Sequence, residues 1–306
     1  MSDFSTTEWI ALDWGTSHLR AWIMGAGAQV LDRRESDAGM GSLAPDQFEG
    51  ALLELISDCL PAGQVTPVIT CGMAGSRQGW AEAAYRAVPC TPPGAELMTR
   101  VKTADSRIQV HILPGVKQLQ PADVMRGEET QIAGFLAREP KFDGVLCLPG
   151  THSKWARISA GEIVSFQSYM TGEMFALLSR QSVLRHGMAG EGWNEAAFTA
   201  AIGDAMSRPQ ALAAQLFALR AGSLIADLDA ATARARLSGL LIGIELAAAR
   251  PYWLGQDIAV LGADDLAEAY MRALTAQGCL PRSVAADEMT LAGLSAAWTT
   301  LNGDTT

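Results

Sequence analysis

The sequence predicts an α/β protein with two domains. Its 306 residues are many for a single hydrophobic core, and 49% of them are hydrophobic. Short apolar runs typical of strands alternate with helix-like stretches in both halves of the chain. A strand–turn–strand unit with glycine and hydroxyl residues at its tip occurs once in each half. We therefore expect one domain at 1–115, a second at 116–286, and a helix at 287–301 that packs back on the first domain.

The first domain is predicted from closely spaced strands and one amphipathic helix. Its elements, in chain order, are strands at 9–13, 19–24 and 29–33, a helix at about 46–60, a strand at 67–71, a glycine-rich turn at 72–80 and a strand at 108–113. The first three strands suggest a meander. Pro114-Gly115 ends the last strand, which makes it a natural domain end.

The second domain repeats the opening pattern and then becomes helical. Its elements are a helix at 132–137, a strand at 144–148, a turn at 149–154, a strand at 155–158, an alanine- and leucine-rich helical section at 172–249, a strand at 257–261 and a helix at 266–276. Asp264 is a good N-cap for that helix, and Gly278 can close it.

Composition excludes several classes of function. The formal net charge is −10 and no lysine- or arginine-rich run occurs, so we expect no nucleic-acid partner. The five cysteines form no CxxC pair, which is typical of reduced, buried thiols. The chain starts without a signal-like segment, and its most apolar run, 237–249, is too short to span a bilayer. We expect a cytoplasmic protein without a membrane partner, and a homo-oligomer is compatible with the sequence.

The first turn, Asp13-Trp14-Gly15-Thr16-Ser17, brings an acid, bare backbone N–H groups and hydroxyls to one point. Those groups suit a phosphate chain and its Mg²⁺ ion, because carboxylate oxygen is a preferred ligand of that ion. The alternative is an ordinary hairpin, in which Asp and Gly are present because turns favour them. The second turn, with Gly150, Thr151 and Ser153 near its tip, favours the phosphate interpretation, since two such turns can hold one nucleotide.

Four segments carry a resemblance to a known family. They are 13–17 with Arg20-Ala21 after it, the turn 72–80 (Gly-Met-Ala-Gly-Ser-Arg-Gln-Gly-Trp), 126–131 (Arg-Gly-Glu-Glu-Thr-Gln) and 148–155 (Leu-Pro-Gly-Thr-His-Ser-Lys-Trp). The first looks like the first phosphate motif of the actin, hexokinase and sugar-kinase superfamily. Together the four resemble the 2-dehydro-3-deoxygalactonokinase family over nearly the whole chain.

The resemblance implies an actin-like (ribonuclease H-like) ATPase fold with a nucleotide cleft between the domains. It implies ATP and Mg²⁺ as cofactors and ATP-dependent phosphorylation of the terminal 6-hydroxyl of 2-dehydro-3-deoxy-D-galactonate, in sugar-acid catabolism. Three alternatives stay open: a kinase for a related keto-deoxy sugar acid, a phosphohydrolase of the same fold, and a nucleotide- or sugar-sensing regulator.

The residues suggest how the catalytic roles divide. Asp13 suits the metal ion or its waters. Glu128 is the expected base for the attacking hydroxyl, with Glu129 in reserve, because a related kinase branch places an aspartate after glycine at the start of the equivalent helix. The alternative is that both acids only favour the positive end of the helix dipole.

The remaining candidates would bind the nucleotide and the sugar acid. Those for the phosphates and ATP are Gly15, Thr16, Ser17, Gly150, Thr151, Ser153, Lys154, Gly262 and Ala263; those for the substrate are Ser76, Arg77, Trp80 and Arg126. Arg77 is the expected partner of the substrate carboxylate, because a guanidinium matches that geometry, although it could be a surface arginine. Lys154 could neutralise phosphate charge or point to solvent, and His152 is more typical of a hydrogen-bonding spacer than of an acid or base.

Overall fold

The computed structural model describes residues 4–262 and 265–303, and the predicted α/β class is confirmed. The strands are β1 (Trp9–Trp14), β2 (Leu19–Met24), β3 (Val30–Ser36), β4 (Thr66–Gly72), β5 (Tyr85–Ala87), β6 (Thr99–Arg100), β7 (Ile108–Ile112), β8 (Gly115–Leu119), β9 (Ala122–Met125), β10 (Gly144–Leu148), β11 (Ser153–Ser159), β12 (Glu162–Tyr169), β13 (Ile258–Leu261) and β14 (Arg282–Val284). The helices are α1 (Phe48–Ile56), α2 (Glu128–Arg138), α3 (Thr171–Arg180), α4 (Glu195–Ser207), α5 (Leu212–Ile225), α6 (Ala230–Ala248), α7 (Arg250–Trp253), α8 (Asp265–Ala276) and α9 (Ala286–Gly303).

The chain divides into two compact units. The first consists of residues 1–142, 159–165 and 286–306, and the second of 143–158 and 166–285. The expected domain end at residue 115 falls inside the first unit. The unit continues to residue 142 because α2, which follows residue 115, packs closely on α9 of the same unit. The helix expected to return to the first domain is α9, which belongs to the first unit.

The first unit is built on a six-stranded mixed sheet of order β3-β2-β1-β4-β7-β6. β1 pairs antiparallel with β2 and parallel with β4, which in turn is parallel to β7. Side chains alternate across β1, as the two-residue period of a strand requires: Ile10 and Leu12 pack in the core that includes α1, whereas Ala11 packs in the core that includes α9. β5, β8 and β9 form a separate three-stranded sheet.

The second unit repeats the central arrangement. Its five-stranded sheet has the order β12-β11-β10-β13-β14, in which β10 pairs antiparallel with β11 and parallel with β13. Helices α6 and α8 contribute to the buried core of this unit. No helix in the described part of the chain is long and apolar enough to span a membrane.

Candidate active site

The first predicted phosphate hairpin is the turn between β1 and β2. The Gly15 N–H donates to the His18 carbonyl at 2.9 Å and closes the turn. Thr16 and Ser17 are exposed at its tip. The Gly41 N–H donates to the Thr16 carbonyl at 2.9 Å, so a second backbone segment is hydrogen-bonded to the turn. The hairpin therefore presents hydroxyls to solvent on a backbone held in place.

Asp13 lies at the base of this hairpin. It is 9% exposed and forms an ion pair with Arg20, its partner in the β1–β2 register. Arg20 also pairs with Asp287 in the first turn of α9. Burial raises the pKa of Asp13, and the Arg20 charge opposes that rise.

Asp13 fits one common mode of Mg²⁺ binding. Among residues 4–262 and 265–303, no group of three or more His, Cys, Asp or Glu side chains could hold a metal by itself. Mg²⁺ usually keeps several waters and binds through one or two carboxylates together with substrate phosphates. A single carboxylate beneath an exposed, hydroxyl-bearing turn meets that requirement.

Three backbone turns meet next to Asp13. A Cβ on Gly72, at the end of β4, would lie 2.6 Å from the Trp14 carbonyl oxygen and 3.3 Å from Oδ1 of Asp13. A Cβ on Gly127, which precedes α2, would lie 3.3 Å from the Gly72 Cα. Both glycines have positive φ, 86° and 107°, which other residues rarely adopt. The close approach brings the start of α2 to the ends of β1 and β4.

The two glutamates at the start of α2 have different surroundings. Glu128 is partly exposed, and its Oε2 accepts the Arg126 N–H at 3.0 Å. Glu129 is 1% exposed, and its two oxygens lie 2.9 and 2.8 Å from the Gly127 N–H. Burial, with a smaller contribution from the neighbouring Glu128, raises the pKa of Glu129 to about 8. The sequence predicts Glu128 as the base with Glu129 in reserve, and the two acids differ in burial in the direction of that order.

The candidate substrate residues fall into two groups. The Arg77 side chain is 81% exposed and pairs with Glu82 at 3.4 Å. Arg126 is buried: its guanidinium lies 4.2 Å from the Tyr85 ring centroid, and Nη2 donates to the Ala83 carbonyl at 2.7 Å. Ser76 is also buried.

The side chains of Ser76 and Arg126 share a further property. Within the described residues, the Ser76 hydroxyl and Nη1 of Arg126 have no hydrogen-bond partner. Trp80, the fourth candidate, packs edge-on to Trp14 with ring centroids 5.8 Å apart, so much of its surface belongs to the core.

The second predicted phosphate hairpin joins β10 and β11. Thr151 is exposed at the tip, whereas Ser153 is fully buried and donates to Oε2 of Glu245 at 2.8 Å. Lys154 is 6% exposed, and its Nζ donates to the His152 carbonyl at 3.1 Å, which excludes the solvent-facing alternative. His152 is exposed and lies 2.6 Å from Oε2 of Glu173.

A pocket of about 380 Å³ adjoins this hairpin within the second unit. Gly150 and Thr151 line it together with Gly172 of α3, Trp193 and Asp265. A Cβ on Gly172 would lie 2.3 Å from the Gly150 carbonyl oxygen, so only glycine allows α3 to start so close to the hairpin. Thr171, which precedes it, also lines the pocket.

The predicted adenosine residues Gly262 and Ala263 come shortly before two residues of the same pocket in the sequence. Gly262 is buried and its N–H donates to the Val284 carbonyl at 2.9 Å, while Ala263 lies outside the described residues. Asp265 and Leu266, which follow them in the sequence, line the pocket. The pocket volume of about 380 Å³ lies within the range of small-molecule sites.

Comparisons with known proteins give consistent matches along the chain. A model of the 2-keto-3-deoxy-galactonokinase family matches residues 13–297. A probable 2-dehydro-3-deoxygalactonokinase of Rhizobium meliloti (strain 1021) is 42% identical over 295 residues, covering 94% of this chain and 95% of that protein. The 2-dehydro-3-deoxygalactonokinase of Escherichia coli (strain K12) is 36% identical over 293 residues, with 94% and 97% covered.

A solved structure is similar over almost the same length. The crystal structure of a candidate 2-dehydro-3-deoxygalactonokinase from Sinorhizobium meliloti superposes with a TM-score of 0.88 at 39% identity. The match covers 96% of this chain and 99% of that one.

Proposed function

The chain belongs to the 2-keto-3-deoxy-galactonokinase family, and from that membership we propose that it phosphorylates the terminal 6-hydroxyl of 2-dehydro-3-deoxy-D-galactonate with ATP. It is therefore a sugar-acid kinase. The observation that carries the residue assignments is the meeting of β1, β4 and α2 at Gly72 and Gly127, which gathers Asp13, Glu128 and Glu129 at one place in the first unit. The nucleotide cleft between the domains, which the sequence resemblance implies, stays a prediction.

Glu128 is the proposed general base. Its partial exposure leaves it open to a substrate hydroxyl, and the Arg126 N–H bound to Oε2 orients the carboxylate. The carboxylate can take the hydroxyl proton as the substrate oxygen attacks the transferred phosphoryl group. Glu129 is less suited, because it is buried and both of its oxygens lie within hydrogen-bond distance of the Gly127 N–H.

Asp13 is the proposed Mg²⁺ site, and the ion would neutralise charge on the phosphates. Gly15, Thr16 and Ser17 would bind the transferred phosphoryl group from the first hairpin. Gly150 and Thr151 would bind phosphates from the second. Ser153 and Lys154 would support this turn, because both side chains are buried behind it. The neighbouring pocket is the proposed adenosine site, and Gly262 and Ala263, which come shortly before Asp265 in the sequence, are its proposed adenosine residues.

Arg77 is the proposed partner of the substrate carboxylate. Its exposed pairing with Glu82 at 3.4 Å is of a kind that contributes little stability, so a substrate carboxylate can replace it. Ser76 and Trp80 belong to the same turn, and Nη1 of Arg126 lies against it, 2.7 Å from the position that a Cβ on Gly75 would take.

The activity is tested by turnover with ATP, Mg²⁺ and either 2-dehydro-3-deoxygalactonate or its gluconate epimer. We expect ADP release that depends on the sugar acid, with a phosphorylated sugar acid identified by mass spectrometry. ADP released at the same rate without sugar acid would instead support a phosphohydrolase. No phosphorylated product from either epimer or from a panel of keto-deoxy sugar acids would support a regulator.

The base assignment is tested by Glu128→Gln, which keeps the side-chain length and removes the proton acceptor. We expect kcat to fall about 10²- to 10⁴-fold, the usual contribution of a positioned base, with little change in the KM for ATP. Glu288→Gln, the same change at an exposed first-turn glutamate of α9, is the matched control and should leave kcat unchanged. Near-normal turnover of the Glu128 variant would rule out this base.

A further inference from the structure

Glu245 is a buried carboxylate with an unusually large number of hydrogen-bond donors. It lies on α6 and is 2% exposed. Oε1 accepts from Nε1 of Trp155 at 2.7 Å, and Oε2 accepts from the Tyr270 hydroxyl at 2.6 Å. The hydroxyls of Ser153, at 2.8 Å, and Thr171 also donate to Oε2. Four side chains thus converge on one acid that takes no part in the chemistry proposed above.

The donors come from the elements that surround the pocket. Ser153 directly follows the second hairpin turn, Thr171 is the first residue of α3, and Tyr270 lies on α8. The Glu173 N–H donates to the Thr151 carbonyl at 2.9 Å, which ties α3 to the hairpin on the pocket side as well. Glu245 therefore joins the hairpin to α3 through side chains, in addition to the backbone bond between Glu173 and Thr151.

The chemistry of the group matters as much as its position. An ionised carboxylate only accepts hydrogen bonds, so it can satisfy four donors at once. Burial raises the pKa of Glu245, and the four donors oppose that rise. A glutamine would have the same length, but its NH₂ group would face donors on one side. Hydroxyls could turn to accept, whereas the indole of Trp155 could not.

We propose that Glu245 is a positioning residue of the nucleotide site, which holds the second phosphate hairpin and the start of α3 at the spacing that ATP requires. It acts through Ser153 and Thr171 without touching the nucleotide. The proposal rests on the proposed function, because it takes the pocket beside this hairpin as the nucleotide site.

The test compares Glu245→Gln with Trp253→Phe in the full-length enzyme. Trp253 is 3% exposed and belongs to the same hydrophobic core as Trp155 and Tyr270. Its Nε1 donates to the Leu246 carbonyl at 2.7 Å and makes no bond to the hairpin. The control therefore also removes a buried hydrogen bond. Steady-state kinetics give kcat and both KM values, calorimetry gives the Kd for ADP, and a thermal melt gives the Tm of each protein.

We expect Glu245→Gln to raise the KM for ATP and the Kd for ADP about 5-fold or more. This factor corresponds to the loss of roughly one hydrogen bond that holds the hairpin in place. The KM for the sugar acid should stay within about 2-fold of the wild type, because the proposed substrate residues lie in the first unit and Glu245 in the second. Loss of folded enzyme alone would change neither KM. Trp253→Phe should lower the Tm and leave both KM values unchanged. Unchanged ATP and ADP binding in a folded Glu245→Gln protein overturns the proposal.

Tyr270→Phe is the second variant, and it decides the question if Glu245→Gln does not fold. It deletes one donor to Oε2 and keeps the carboxylate. A rise of about 2- to 3-fold in the Kd for ADP supports the proposal, and an unchanged Kd overturns it. Failure of the proposed function is distinguishable, because the wild type itself would then show no sugar-acid phosphorylation.

Discussion

Glu128 and Glu129 are neighbours in the sequence but face opposite environments. Glu129 lies in the interior of the first unit, near the buried Cys71. Burial raises the pKa of the Cys71 thiol, and the carboxyl groups of Asp13 and Glu129 raise it further. Burial favours its neutral form, and the raised pKa of about 8 means that the folded protein retains this proton at neutral pH. Glu129 thus accepts the Gly127 N–H while its own carboxyl group stays neutral.

This difference predicts a pH dependence of stability. The Glu129 carboxyl ionises near 4.5 in the unfolded chain and near 8 in the folded one. Between these values the folded state binds more protons, so stability falls as pH rises, by at most about 1.4 kcal/mol per pH unit from this group. Below pH 4.5 both states hold the proton, so the stability from this group is fully present and no longer changes with pH. Glu129→Gln, which mimics the neutral carboxyl, should remove this slope.

The measurement is the Tm of the wild type and Glu129→Gln from pH 5 to 8, with Glu288→Gln as the exposed control. We expect the Glu129 variant to gain stability relative to the wild type as pH rises, and the control to run parallel to the wild type. Parallel curves for all three proteins would show that Glu129 ionises normally in the folded state.

At the scale of elements, α2, whose first residue is the proposed base Glu128, packs closely against α9. A Cβ on Gly134 would lie 1.9 Å from the Met289 carbonyl oxygen, and one on Gly293 would lie 2.0 Å from the Thr130 carbonyl oxygen. The two helix backbones are therefore in direct contact, and glycine on both sides makes this possible. Since Glu128 is the first residue of α2, a displacement of the helix moves the proposed base.

Gly134→Ala is expected to destabilise the protein by about 1–3 kcal/mol and to lower kcat, because an added methyl must push α2 away from α9. Gly50→Ala in α1 is the matched control, since nothing lies within 4 Å of its added Cβ. The control should gain about 0.5–1 kcal/mol from helix propensity and keep its activity. Thermal melts and turnover measure both effects. An equal gain for Gly134→Ala would contradict the close packing.

The sequence predicts local elements better than distant partners. Both hairpins were found from the sequence, because strand, glycine and hydroxyls occur within a few residues. Six strands were missed: β5, β6, β8, β9, β12 and β14. Three of them, β5, β6 and β14, have only two or three residues, which give no clear period. Glu245 lies inside the apolar run 237–249, and no motif around it in the sequence predicts a role. Its donors lie up to 92 residues away in the sequence, so only the fold brings them together.

At the scale of the whole molecule, the two units share one strand arrangement. In each, a hairpin strand is antiparallel to a central strand, which is followed by two parallel neighbours: β2-β1-β4-β7 in the first unit and β11-β10-β13-β14 in the second. The repeated hairpin in the sequence indicated this duplication. Its consequence is that each unit carries its own turn at the same place in its sheet.

The two units should respond to different ligands. The pocket and the second hairpin lie wholly in the second unit, whereas the glycine-rich turn and the start of α2 lie in the first. A ligand protects the backbone where it binds the native state.

In hydrogen–deuterium exchange, ADP should slow exchange at 150–154 and 171–176, and the sugar acid at 72–80 and 126–130. ATP with Mg²⁺ should add protection at 15–17, because only ATP carries the phosphoryl group that this hairpin would bind. Helix α5, which does not line the pocket, is the internal control. Protection by ADP confined to 72–80 would reverse the assignment of the two units.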